Sequence, residues 1–144
     1  MPSLSRRKGA DFERYLCNVF RDIYPNHRVC RGQQGMGGVV PDVDIPDYWV
    51  EAKRGRRPSP IAALKQAIRD TDGRTPVAII RDDRSQAFVV YEWDGIEPFD
   101  LRRGRTVRMC LRESDPCRCF IKGYDLVVMS LALFLHRIAP QSEH

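Results

Sequence analysis

Apolar residues recur at helical spacing near the start of the chain. Phe12, Tyr15, Leu16, Val19, Phe20 and Ile23 fall on one stripe of residues 4–24, and Pro25 stops the pattern. This predicts an amphipathic helix with one side on a core. Glu13 sits at the edge of that stripe, beside Phe12 and one turn from Leu16. A short strand is predicted over 27–31. Residues 32–38 then hold four glycines in seven positions, too many for a regular strand interior, and read as a loop whose backbone can approach a ligand closely. Two strands, 39–45 and 48–54, follow with a tight turn at Pro46-Asp47. Ser59 offers an N-cap and Pro60 a first helical residue. The helix they start is predicted over 60–72, with Ile61, Leu64 and Ile68 inward and Gly73 ending it. Apolar runs at 77–80 and 87–91, joined by a turn at Asp82-Asp83-Arg84-Ser85, predict a strand hairpin.

Beyond residue 92 the periodicity weakens. Strand-like pieces stand at 106–111 and 119–122, with an arginine-rich turn at Arg102-Arg103-Gly104-Arg105. A strand at 126–129 and a helix at 131–138, capped by Ser130, close the chain. The fold class is therefore α/β, a central mixed sheet flanked by helices. The 144 residues suit a single domain: a core over 4–92, an insertion of open role over 93–123, and a closing strand and helix over 124–139.

Composition changes this picture only modestly. No apolar stretch is long enough to cross a bilayer, and no apolar segment follows the basic N-terminal residues as a secretory signal would, so a cytoplasmic location is expected. The net charge of +5 is carried mostly by arginine, whose planar fork matches phosphate. Composition alone divides evenly between a nucleic-acid binder and a solvated surface. Five cysteines, an odd count, argue against a disulfide framework. Cys110, Cys117, Cys119 and His136 do not have the spacing of a zinc site, and ordinary core cysteines are the simpler reading.

The chemistry concentrates in residues 41–53. Alternation along a strand puts Trp49, Glu51 and Lys53 on one face and Tyr48, Val50 and Ala52 on the other. A glutamate and a lysine side by side in an apolar context must pair or bind an ion, because burying them otherwise costs free energy. Asp42 and Asp44 share a face of the preceding strand, and either can fold back toward Glu51. Two carboxylates suit Mg²⁺ or Mn²⁺, hard cations that take oxygen ligands. Lys53 beside them is placed to orient a water or to stabilise charge on a phosphate. The same Glu-x-Lys on an exposed edge strand would be a solvated pair of little consequence.

Pro41-Asp42 followed by Glu51-Ala52-Lys53 resembles the PD-(D/E)xK nuclease superfamily in order, strand context and separation. Among its members the small phage recombination nucleases and the archaeal-type Holliday junction resolvases look most similar. The resemblance implies a restriction-endonuclease-like core: a helix, a three-stranded meander, a helix and further strands. It implies Asp42 and Glu51 as metal ligands with the Ala52 backbone carbonyl, Lys53 as catalytic lysine, and Mg²⁺ or Mn²⁺ as cofactor. Glu13 matches the acidic residue that many members carry on the first helix, and is a further ligand candidate with Asp44. Gln66 lies on the following helix where a glutamine often points into the site; Asp70 stands four residues later where the RecB-type pattern has a tyrosine. The expected activity is a deoxyribonuclease, an endonuclease acting on branched DNA in recombination, as a homodimer in a bacterial, archaeal or phage-infected cell.

Arg31, Gln33, Gly35, Gly37, Arg54, Arg56 and Arg57 flank these residues and are the candidate nucleic-acid contacts. Arg6, Arg7, Lys8 and residues 102–105 are lesser candidates, and Tyr48 and Trp49 are placed to stack on bases or to fill a core. Two rivals remain. One is a catalytically inactive DNA-binding module with a nuclease-like fold, which needs the arginines but not the carboxylates. The other is a protein-interaction domain with incidental charge.

Overall fold

The computed structural model describes residues 3–32, 38–83, 85–95, 102–104 and 116–140. Gln33, Gly35, Gly37, Arg84, Arg105, Cys110 and the strand expected at 106–111 lie outside the described residues.

Helix α1 spans Leu4–Ile23, and the Ser3 hydroxyl accepts from the Arg6 N–H at its start. Phe12, Leu16, Cys17 and Phe20 are buried, a 4-1-3 spacing that makes one continuous stripe. Tyr15, expected inward, is 46% exposed and stacks on Phe12 from the flank, its ring centroid 6.5 Å away. Cys17 takes the inward position instead.

The predicted meander forms with shorter strands. Strand β1 is Cys30–Arg31 and β2 is Val43–Asp44, so 27–29 and 39–42 lie outside the ladder. A turn with Asp47 at φ +70° leads into β3, Tyr48–Gly55. Helix α2, Pro60–Asp70, starts where Ser59 accepts from the Ala62 N–H. It ends two residues earlier than expected, because Asp72 turns its side chain to Arg74 while Gly73 supplies φ +114°. Strand β4, Thr75–Asp82, then runs parallel to β3 over eight residue pairs. Strand β5, Phe88–Glu92, is antiparallel to β4, as the hairpin reading expects.

The later segment completes the same sheet. Residues Arg102–Gly104, expected as a turn, form the short strand β6 parallel to β7, Cys117–Ile121. Strand β8, Tyr124–Ser130, pairs with both β7 and β5, and helix α3, Leu131–Ile138, is capped by the Ser130 hydroxyl. The sheet order is β1-β2-β3-β4-β5-β8-β7-β6.

Helices cover both faces. Val50, Ala52, Val77, Ile79, Val89, Val127 and Met129 pack under α1 and α3. Ala78, Ile80, Val90, Leu126 and Val128 pack under α2, where Cys117 and Cys119 are also buried. His136 is exposed on α3, over the opposite face from those cysteines. Each fully buried aliphatic side chain contributes on the order of 1.5–3 kcal/mol by leaving water. The result is an α/β chain with a mixed sheet between helices. No helix among the described residues is long and apolar enough to cross a membrane.

Candidate active site

The alternation along β3 sets the site. Val50 and Ala52 enter the core under α1, which turns Trp49 and Glu51 to the other face and leaves Lys53 exposed beyond them. Glu51 is the one charged residue buried among those described, at 2% exposure. Its Oε2 is enclosed and has no hydrogen-bond partner among the described residues, and the same holds for the Trp49 indole Nε1 two residues earlier.

Asp42 reaches this point because β2 leaves the ladder there. The register pairs Val43 with Val50 and Asp44 with Trp49, which would set Asp42 opposite Glu51. The Asp42 N–H instead donates to the Val50 carbonyl, and its carboxylate Oδ2 accepts from the Ala52 N–H at 2.8 Å. A side-chain oxygen thus replaces the missing backbone acceptor and fixes the carboxylate beside Glu51. Burial, the Asp42 charge and the Asp42 carboxyl as a hydrogen-bond neighbour push the Glu51 carboxyl up from 4.5 to about 8, while Lys53 and Trp49 pull the other way.

Asp44 is held differently. Its Oδ1 accepts from Arg74 at 2.8 Å, and that guanidinium also binds Asp72 and the Ile45 carbonyl and lies 5.2 Å from the Trp49 ring centre. Of the two aspartates left open by the sequence, Asp42 is the one that meets Glu51. Arg74 had no signal of its own in the sequence, being an arginine in a turn thirty residues from its partner.

An open cleft of about 1080 Å³ lies against this corner of the sheet, lined by Glu13, Arg31, Asp42, Ala52, Lys53 and Arg54 among others. Glu13 is engaged by Arg31 at 2.7 Å within it. A second cleft of about 610 Å³ holds Asp44, Trp49, Asp70 and Arg74, and shares Arg31, Gly32 and Pro41 with the first. Gln66 is half-buried on α2 and lines neither cleft. Arg56 and Arg57 are exposed on the loop between β3 and α2.

Gly32 closes the corner. Its N–H donates to the Asp42 carbonyl at 3.2 Å, and a Cβ there would stand 1.8 Å from the Pro41 carbonyl oxygen. Only glycine lets the two ends of the glycine-rich loop meet so closely.

Among the described residues no group of three or more His, Cys, Asp or Glu side chains is arranged to hold a metal ion. The two carboxylates present suit a hard cation of the Mg²⁺ kind, which binds through one or two carboxylates and keeps several waters. The unpartnered Glu51 Oε2 gives that donor set an unused oxygen. No protein-family model, no curated protein and no solved structure matches this chain.

Proposed function

We propose that the protein is a metal-dependent DNA endonuclease of the PD-(D/E)xK kind, with Asp42, Glu51 and Lys53 at its centre. The observation that carries the reading is the buried Glu51 carboxyl, set against Asp42 with one oxygen unpartnered, beside an exposed lysine on an open cleft. Buried carboxylates without a counter-charge are costly and are concentrated at functional sites. The order of α1, the β1-β2-β3 meander, α2 and β4 follows what a restriction-endonuclease-like core requires, which supports the same reading.

Asp42, Glu51 and the Ala52 backbone carbonyl would hold Mg²⁺ or Mn²⁺. When bound, such an ion neutralises phosphate charge and makes a water acidic enough to attack phosphorus. Asp42 keeps its orientation through the Ala52 N–H, and Trp49 keeps bulk water from one side of Glu51. Lys53 presents its ammonium to the cleft, where it orients the attacking water or holds charge developing on the phosphate. Glu13 stands in the same cleft under the Arg31 guanidinium, and becomes a ligand only if that pair opens. Gln66 has no place in this mechanism. Branched DNA is the proposed substrate by resemblance alone, and paired cuts on a symmetric junction call for a homodimer.

Cleavage of labelled four-way junction, flap and linear duplex DNA with Mg²⁺, Mn²⁺ or EDTA tests the reading. Wild type should cut only with a divalent ion, and Asp42→Asn or Glu51→Ala should lose cutting while keeping the fold. Equal cutting by both variants would sink the assignment. Salt-sensitive binding without product at any metal would turn it into an inactive DNA-binding module.

A further inference from the structure

Four buried side-chain polar atoms lack a hydrogen-bond partner among the described residues, and they lie on two neighbouring strands. Trp49 Nε1 and Glu51 Oε2 belong to the carboxylate site on one face of β3. The other two are Arg54 Nε on β3 and Arg81 Nε on β4. Arg54 and Arg81 are directly paired in the parallel register, so both project to the α1 face, just past the apolar pairs Val50 with Val77 and Ala52 with Ile79.

This arrangement is unfavourable as it stands. A guanidinium stays charged in any protein, and like charges at opposed positions of neighbouring strands repel. Buried N–H groups normally find an acceptor. The nearby carboxylate does not supply one: Asp83 Oδ1 is 3.7 Å from Arg54 Nε, and Asp83 is already engaged by Lys8 at 2.9 Å. Asp82 alternates to the opposite face. The Arg81 side chain makes no hydrogen bond or ion pair with any described residue, and its Nε is buried. Two cations, Lys8 and Arg54, thus share one carboxylate, and Arg81 adds a third positive charge beside Arg54.

We propose that Arg54 and Arg81 form a seat for one phosphate oxyanion, a second binding site on the far side of β3 from Glu51. A tetrahedral oxyanion accepts from two guanidinium forks at once, which relieves both the repulsion and the unpartnered Nε–H groups. Of the two, Arg54 lines the cleft that Arg6 and Lys53 also line. Resting on the nuclease reading, the oxyanion is a backbone phosphodiester of the bound strand, next along from the one facing Lys53. A free phosphate has the same chemistry, and the test separates the two sources.

Both arms are run in EDTA, so that cutting plays no part. In the first, inorganic phosphate is titrated against thermal unfolding of wild type, Arg81→Met, Arg81→Gln and Arg81→Lys. Phosphate should raise the wild-type melting temperature by several degrees and leave the Met and Gln variants unmoved. Without phosphate those variants should melt no lower than wild type, since the repulsion is gone. In the second, DNA binding is followed against salt. Arg81→Met should bind about tenfold more weakly, with a logarithmic salt slope lower by about one. Arg81→Lys should keep the slope. Unchanged phosphate response and unchanged slope in Arg81→Met overturn the seat. A lost phosphate response with an unchanged slope overturns the strand assignment and leaves a free-phosphate site. If wild type binds no DNA, the nuclease reading falls by itself and the phosphate arm alone decides the seat.

Discussion

Replacing Glu51 by glutamine keeps the shape of the side chain and removes its charge. The carboxyl is 2% exposed and is pushed from 4.5 up to about 8, first by burial and then by Asp42. A group with a raised folded-state pKa binds its proton more tightly folded than unfolded. Its stabilisation is therefore complete below pH 4.5 and is lost as pH rises through 8. At about 1.4 kcal/mol per unit the loss reaches about 5 kcal/mol as an upper bound. Part of it belongs to the Asp42–Glu51 pair jointly, so about 3–5 kcal/mol is expected. Urea unfolding in EDTA at pH 5, 7 and 9 measures it directly. Wild type should lose most of this stability between pH 5 and 9, while Glu51→Gln should change far less. The difference between the two curves cancels the titrating groups that are not coupled to Glu51 and leaves the Asp42–Glu51 pair. Added Mg²⁺ or Mn²⁺ should restore wild type at pH 9 and leave Glu51→Gln unmoved, because only the carboxylate gains a ligand role. Parallel decline of both proteins, or a flat wild-type curve, would refute the account of Glu51 as a strained buried charge.

Three further outcomes follow from the geometry. Lys53→Ala should leave the urea midpoint within about 0.5 kcal/mol of wild type, because the side chain is exposed, and should slow single-turnover cleavage by about a hundredfold or more. Arg74→Ala removes the contacts to Asp44, Asp72 and the Ile45 carbonyl together, and denaturant melts should show a loss of about 1–3 kcal/mol. Gly32→Ala forces the Pro41 carbonyl away, and metal titration followed by Trp fluorescence should show weaker binding although no ligand has changed.

Much of this was legible because two periodicities dominate. The 3.6-residue stripe of α1 and the alternation of β3 each fix which side chains face a core, and the second of these is what isolates Glu51. The choice between Asp42 and Asp44 was not legible. Both fall on one strand face, and the difference is made by Arg74 from a distant turn and by one side-chain bond to the Ala52 N–H. Val39 and Val40 look like strand residues by composition, yet the ladder begins only at Val43, since the glycine-rich loop must first return to Gly32. Arg81 follows the apolar run of β4 by a single residue and carries no local signal. Only the parallel register, set by the crossover through α2, brings it beside Arg54. Residues 102–104 read as a turn because outer strands leave no apolar alternation to find.

The position of β8 also bears on how the chain assembles as it is synthesised. β5 lies between β4 and β8, and Phe134 of α3 packs against Tyr48 and Tyr91. When the first 92 residues have emerged, β1 to β5 can pair, and the Asp42–Glu51 corner, built from β3 and the residue that precedes β2, can already exist. One edge of β5 then stays open, with Val89 and its neighbours uncovered, until residues 124–138 arrive. A nascent chain thus carries its carboxylate corner before its sheet is sealed, and the length of the segment between β5 and β8 sets how long that raw edge waits for its partner.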